Sequence, residues 1–140
     1  MSKISNQKKA IAELGAFEQG AKRLALHPER FKVNKSVIGL LYDVGFTEPE
    51  TIKLVYGSTR SARSGTSELL TKSQSDRAFR IAAVTLLANR VFGDTAKAFV
   101  WLRRENTLLD GQTPISSLET EAGSRAVEDI LIRIDHGIAA

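Results

Sequence analysis

Residues 75–102 read SDRAFRIAAVTLLANRVFGDTAKAFVWL, and this stretch decides the fold class. From Arg77 to Phe92 the apolar residues Phe79, Ala82, Ala83, Leu86, Leu87 and Val91 recur at steps of three, four and one. Those are helical steps, and no period-two alternation competes with them. Ile81, Val84 and Ala88 fill the rest of the circumference, so the helix is expected to be buried on several sides. Ser75 or Asp76 is the expected cap. Gly93 is placed as a left-handed stop. Asp94 then caps a second helix, with Ala96, Phe99, Val100 and Leu102 expected inward and Trp101 beside them.

The pattern continues downstream. Asn106 to Gln112 is rich in turn formers and contains Asp110-Gly111, and Thr113-Pro114 opens a short helix with a cap and a first-turn proline. Thr120 caps a last helix carrying Val127, Ile130, Leu131 and Ile134. Gly137 closes it and leaves Ile138, Ala139 and Ala140 as an apolar tail.

Upstream the chain is also helical. A helix is expected from about Gln7 to Leu26, with Ile11, Leu14, Phe17, Ala21 and Leu24 on one face and His27-Pro28 as its end. His27 reads as a helix C-terminal residue, with no second metal ligand near it. Asn34 caps a helix with Val37, Ile38, Leu41 and Tyr42. Gly45 allows a tight turn, and Thr47 caps a second helix with Ile52, Leu54, Val55 and Tyr56. Gly57 and Ser58 then introduce STRSARSG, residues 58–65. Short helix, glycine turn, short helix and basic segment are the outline of a helix-turn-helix over about 34–65. Arg60 and Arg63 lie three apart, and Ser58, Thr59 and Ser61 add donors that reach phosphates. A solvent-facing helix and a flexible loop fit this segment equally well. Residues 66–72 read as a linker anchored by Leu69 and Leu70.

Composition narrows the function classes. The chain has 140 residues, no cysteine and two histidines, His27 and His136. Disulfide scaffolds, thiolate nucleophiles and cysteine zinc sites are excluded, and no metal or cofactor site is expected. The longest apolar run, Ile81 to Ala88, is far short of a bilayer span of roughly 20 residues. Lysines near the N-terminus are followed by no apolar run of signal-peptide length. The expectation is a cytoplasmic protein without membrane attachment. Residues 1–90 carry 15 basic and 8 acidic side chains, and residues 91–140 carry 5 and 8, so a net +7 and a net −3 combine to +4. A positive half suggests a polyanion partner, of which nucleic acid is the usual one. No nucleophile has a base at workable spacing, and no glycine-rich phosphate loop follows a strand, so no enzyme activity is expected.

A resemblance covers residues 75–140. Its residues are Ser75-Asp76-Arg77, Arg80, Val91-Phe92-Gly93-Asp94, Ala98 and Trp101-Leu102. Leu109, Gly111, Pro114, Leu118, Thr120, Gly123, Val127, Leu131, Ile134 and His136-Gly137 follow in order. This series resembles the toxin-binding domain of the Xre/MbcA/ParS-type antitoxins, partners of RES-domain toxins. The resemblance implies an all-α protein with a helical helix-turn-helix unit, residues 1–72, packed with a toxin-binding domain, residues 73–140. It further implies a type II antitoxin that covers the active site of an NAD⁺-degrading RES toxin, represses its own promoter and forms a homodimer within a hetero-oligomer. DNA contact falls on Ser58, Thr59, Arg60, Ser61 and Arg63. Toxin contact falls on Ile138, Ala139 and Ala140, because a core reading leaves a tail after Gly137 nothing to do; Arg133, His136 and Gly137 lead into it. A helix-turn-helix regulator whose C-terminal domain only dimerises is the competing expectation.

Overall fold

The structure is a computed structural model that describes residues 3–137. Helices and turns make up these residues, with one isolated bridge between Asn34 and Leu69 and no strand among them. The all-α expectation therefore holds. Two compact units divide the chain, residues 1–82 and 83–140.

In the first unit α1 (Lys3–Leu24) packs on α2 (Ser36–Val44). Ala10, Leu14 and Ala21 of α1 and Val37, Leu41 and Val44 of α2 are buried, each series on helical spacing. Gln7 Nε2 donates to the Val44 carbonyl at 3.1 Å, which gives that chain end a partner the helix lacks. α1 begins earlier than the expected Gln7, and it ends at Leu24, short of Leu26. Leu26 and His27 instead donate backbone bonds to Arg23 and Leu24 in a turn beyond the helix. His27 then precedes a single 3₁₀ turn, Pro28–Arg30. The N-cap of α2 is Lys35 and not the expected Asn34, and it makes no side-chain cap bond; Asn34, one residue upstream, accepts from Ser36 N through its Oδ1 at 2.8 Å.

Gly45, at φ 140°, makes a turn that side-chain-bearing residues rarely adopt. α3 (Glu48–Thr51) follows and runs into a π-helical turn, Ile52–Tyr56. Thr47 and Glu50 form a reciprocal capping box at its start, with Glu50 Oε1 accepting from Thr47 N at 2.8 Å. Gly57, at φ 81°, ends the π turn, and Ser58 caps α4 (Thr59–Ser64). STRSARSG is thus a helix and not a loop.

α5 (Lys72–Phe92) starts five residues before the expected Arg77. Thr71 and Gln74 take the capping role given to Ser75 or Asp76. Thr71 Oγ1 accepts from Gln74 N at 3.1 Å, and Gln74 Oε1 accepts from Thr71 N at 3.0 Å. Ser75 is instead fully buried, and its Oγ accepts from Val33 N at 2.9 Å. Leu70 N donates to the Val33 carbonyl, so residues 33–35 and 68–70 are stitched together. Leu70 is buried as expected, whereas Leu69 is 45% exposed, because adjacent extended residues face opposite ways. Replacing Ser75 with alanine leaves the buried Val33 N–H without its acceptor. Chemical denaturation should show a loss of about 1–3 kcal/mol.

The division between units falls inside α5, after the sequence-based line at 72/73. In the second unit Gly93 (φ 76°) follows α5, and Asp94 caps α6 (Thr95–Leu102) through its Oδ1 and Lys97 N. Thr95, Ala98, Phe99 and Leu102 form the buried face of α6. The expected inward Ala96 and Val100 face out, with Val100 59% exposed, because the stripe steps 95, 98, 99, 102. Phe92 and Trp101 stack with ring centroids 5.6 Å apart. A 3₁₀ turn, Thr107–Leu109, leads into Asp110-Gly111, where Asp110 is left-handed at φ 56°. α7 (Pro114–Ser117) and α8 (Glu121–Asp135) begin at the caps Thr113 and Thr120. Val127, Ile130 and Leu131 bury the inner stripe of α8, with Leu118 packed in the same unit.

Candidate functional site

Two surfaces gather the residues that the sequence singles out. On the first, Ser58, Thr59, Arg60, Ser61 and Arg63 all lie on α4 or its cap. Ser58 Oγ accepts from Ser61 N at 3.1 Å and donates to Ser61 Oγ at 3.1 Å. These two hydroxyls therefore hold the helix start and are committed locally. Thr59, Arg60 and Arg63 are exposed and face water. Lys35 Nζ donates to the Gly65 carbonyl at 3.3 Å, which adds a third cation at the end of α4. No acid occurs from Ser58 to Ser67.

The neighbouring α3 is opposite in character. Its first turn carries Glu48 and Glu50. A shallow cleft of about 400 Å³, lined by Glu48, Pro49, Ile52, Lys53 and residues 57–59, separates α3 from the start of α4. Acids at a helix N-terminus suit the helix dipole but repel phosphate. Of the two helix pairs available, α2–α3 through Gly45 and α3–α4 through Gly57, only the second presents cations.

The second surface is the outer face of α8. Arg133, His136 and Gly137 are exposed there, and Gly137 takes φ 73°. Ile138, Ala139 and Ala140 lie outside the described residues. Arg90 pairs with Asp135 at 3.3 Å, and Arg125 with Glu121 at 2.7 Å. Burial raises the Glu128 carboxyl above its ordinary pKa, with Asp129 adding to the effect and Arg125 opposing it. The sequence reading missed Ile132, which is 44% exposed between Asp129 and Arg133. Its signal was available, since position 132 lies off the 127, 130, 131, 134 stripe. Among the described residues of this unit, Val100 and Leu108 are the other exposed large apolar side chains. Arg103 caps the Phe99 ring at 4.9 Å.

No group of three metal-ligating side chains occurs among the described residues, and none of their helices is long and apolar enough to cross a membrane.

Comparison with known proteins bears on the second surface. Residues 87–137 match the family described as Antitoxin Xre/MbcA/ParS C-terminal toxin-binding domain. An Antitoxin Xre of Pseudomonas putida is 35% identical over 91 residues, which are 65% of this chain and 57% of that protein. An Antitoxin Xre of Yersinia enterocolitica is 36% identical over 69 residues, 49% of this chain and 47% of that protein. The chain thus spans about half the length of the curated relatives it matches. The match begins inside α5 and takes in Gly93-Asp94, Trp101-Leu102, the Thr113 and Thr120 caps and Gly123, which are the positions that shape the second unit. Over residues 87–137, this chain is thus similar to the C-terminal toxin-binding domain of the Xre/MbcA/ParS antitoxins.

Proposed function

We propose that this chain is an antitoxin of a type II toxin–antitoxin pair. Its C-terminal domain binds the toxin and occludes it, and the chain carries out no chemistry of its own. The family match over residues 87–137, which lie within the second compact unit, is the observation that carries this reading. We take the toxin to be a RES-domain enzyme that consumes NAD⁺. Such an enzyme must bind phosphates and so has a basic cleft, which the net −3 of residues 91–140 complements. The contact surface runs along the outer face of α8, through Ile132, Arg133, His136 and Gly137, into Ile138, Ala139 and Ala140. Apolar anchors of this kind, ringed by polar groups, supply most of the energy of an interface.

The basic α4 supports a second activity, binding of the operon's own promoter by a homodimer in the cytoplasm. Thr59, Arg60 and Arg63 are the groups assigned to DNA, with Ser58 and Ser61 holding their helix.

Removal of residues 138–140 tests the toxin contact. The shortened protein should keep its circular dichroism spectrum and melting temperature, since the buried stripe of α8, Val127, Ile130 and Leu131, is left in place. Its affinity for the toxin should fall by at least tenfold, which is about 1.4 kcal/mol, with NAD⁺ hydrolysis reappearing in the mixture. Full neutralisation by the shortened chain refutes the assignment. Absence of any complex with the product of the adjacent gene refutes the antitoxin reading itself.

A further inference from the structure

The first unit holds an open cavity of about 760 Å³ that neither proposed activity uses. Phe31 and Phe79 line it, with ring centroids 6.2 Å apart in an edge-to-face pair. Ala25, Pro28, Glu29, Lys72 and Asp76 complete its lining. Beside this hollow stands an apolar knob. Leu26 is 78% exposed and Leu24 is 38% exposed. Leu26 is held outward by an ordered turn, in which Leu26 N donates to the Arg23 carbonyl and His27 N to the Leu24 carbonyl at 2.9 Å.

An exposed leucine next to an aromatic hollow has the design of a self-complementary patch. In a twofold pair the same surface meets itself, so knob and hollow must lie side by side on one molecule. Here they do, since Ala25 and Pro28, the residues flanking Leu26 and His27, themselves line the hollow. Charge fits the same occupant. Glu29 and Asp76 give two acids to the lining against the single Lys72, with Glu29 also facing His27 Nδ1 at 3.9 Å. Arg23 and Arg30, on either side of Leu26 in sequence, have no ion partner among the described residues. A second copy brings those arginines to the acids as its leucine enters.

We infer that this face, built from the turn after α1 and the first turns of α5, is the homodimer interface, with Leu26 of each copy seated over Phe31 and Phe79 of the other. The inference deepens the dimeric part of the proposed function and is independent of the toxin and DNA assignments.

The chain has no cysteine, which makes the test direct. Leu26→Cys and Asp76→Cys proteins are mixed and treated with a short bismaleimide, and Leu26→Glu is examined by sedimentation beside the unaltered chain. The expected result is a 26-to-76 cross-link between copies, a dimer for the unaltered chain, and a dimer dissociation constant raised at least tenfold by Leu26→Glu. Leu26 is outside the core, so the helical spectrum of Leu26→Glu should be unchanged; a matching spectrum certifies the comparison. A persisting dimer for Leu26→Glu, or a dimer without the cross-link, overturns this face while leaving dimerisation intact. A monomer for the unaltered chain overturns both.

Discussion

Gly123→Ala is expected to destabilise the second unit by about 3 kcal/mol, at the upper end of what a single overpacking substitution costs. Gly123 lies in the first turn of α8, and its N–H donates to Thr120 Oγ1 at 2.9 Å. A methyl group at this position would drive into the backbone carbonyl of Ser117, at the end of α7. A flexible side chain can yield to such a clash, but this carbonyl cannot. Ser117 closes α7 with its N–H on the Thr113 carbonyl at 3.1 Å and its Oγ on the same atom at 3.1 Å. The chain must therefore separate α7 from α8 or give up the Thr120 cap. For a unit of this size the loss corresponds to a fall in melting temperature of roughly 10–20 °C. Gly20→Ala is the control of opposite sign. Gly20 is exposed within α1, and nothing lies within 4 Å of an added methyl group. Alanine there should stabilise the first unit by about 0.5–1 kcal/mol through helix propensity. Equal effects at the two positions would show that helix propensity, and not the approach of α8 to Ser117, governs position 123. Under the proposed function, Gly123→Ala should also weaken toxin neutralisation while promoter binding survives, because α4 belongs to the other unit.

Which features were legible follows from where their determinants lie. Caps were legible because the interaction spans three residues: Thr47, Ser58, Asp94, Thr113 and Thr120 all act where the residue types place them. The start of α5 was not, because two adjacent candidates compete with an equivalent signal a few residues upstream. Thr71-x-x-Gln74 wins since both of its partners are satisfied, and because Ser75 is drawn off by Val33, 42 positions away in sequence. Such a long-range demand leaves no mark on local composition. The inward face of α6 was misjudged for a related reason. Val100 is as apolar as its neighbours, and only the tertiary choice of the 95, 98, 99, 102 stripe decides which of them is covered. At the candidate DNA surface, the sequence shows that Thr59, Arg60, Ser61 and Arg63 share one short segment with Ser58 before it, and the structure places them on α4 and its cap. Their division of labour was not legible, since the sequence cannot show that Ser58 and Ser61 spend their hydroxyls on each other. Ile132 escaped because an isoleucine beside the apolar stripe of an amphipathic helix is read as core unless its angular position is followed around the helix.

The other large effect concerns α4. Arg60→Ala combined with Arg63→Ala should reduce promoter affinity by roughly ten- to a hundredfold, with little dependence on DNA sequence. The reason is counterion release. Each side chain that neutralises a phosphate contributes about −0.9 to the slope of log affinity against log salt, so removing two should flatten that slope by about 1.8. Fluorescence anisotropy titrations at four salt concentrations measure it. Both arginines are exposed on a helix with no buried residue, so the fold is not at stake. Ser58→Ala separates positioning from charge. It removes the α4 cap at a cost of about 1 kcal/mol to that short helix, and it should lower affinity while leaving the slope nearly unchanged. Glu48→Gln identifies which helix meets the backbone. If α3 faced the DNA, neutralising Glu48 would raise affinity and the arginine pair would matter little. With α4 as the contacting element, the order of effects is reversed: the arginine pair dominates and Glu48→Gln is nearly silent. An unchanged salt slope in the arginine pair would remove α4 from the DNA surface and leave the net +7 of residues 1–90 to be explained by other cations.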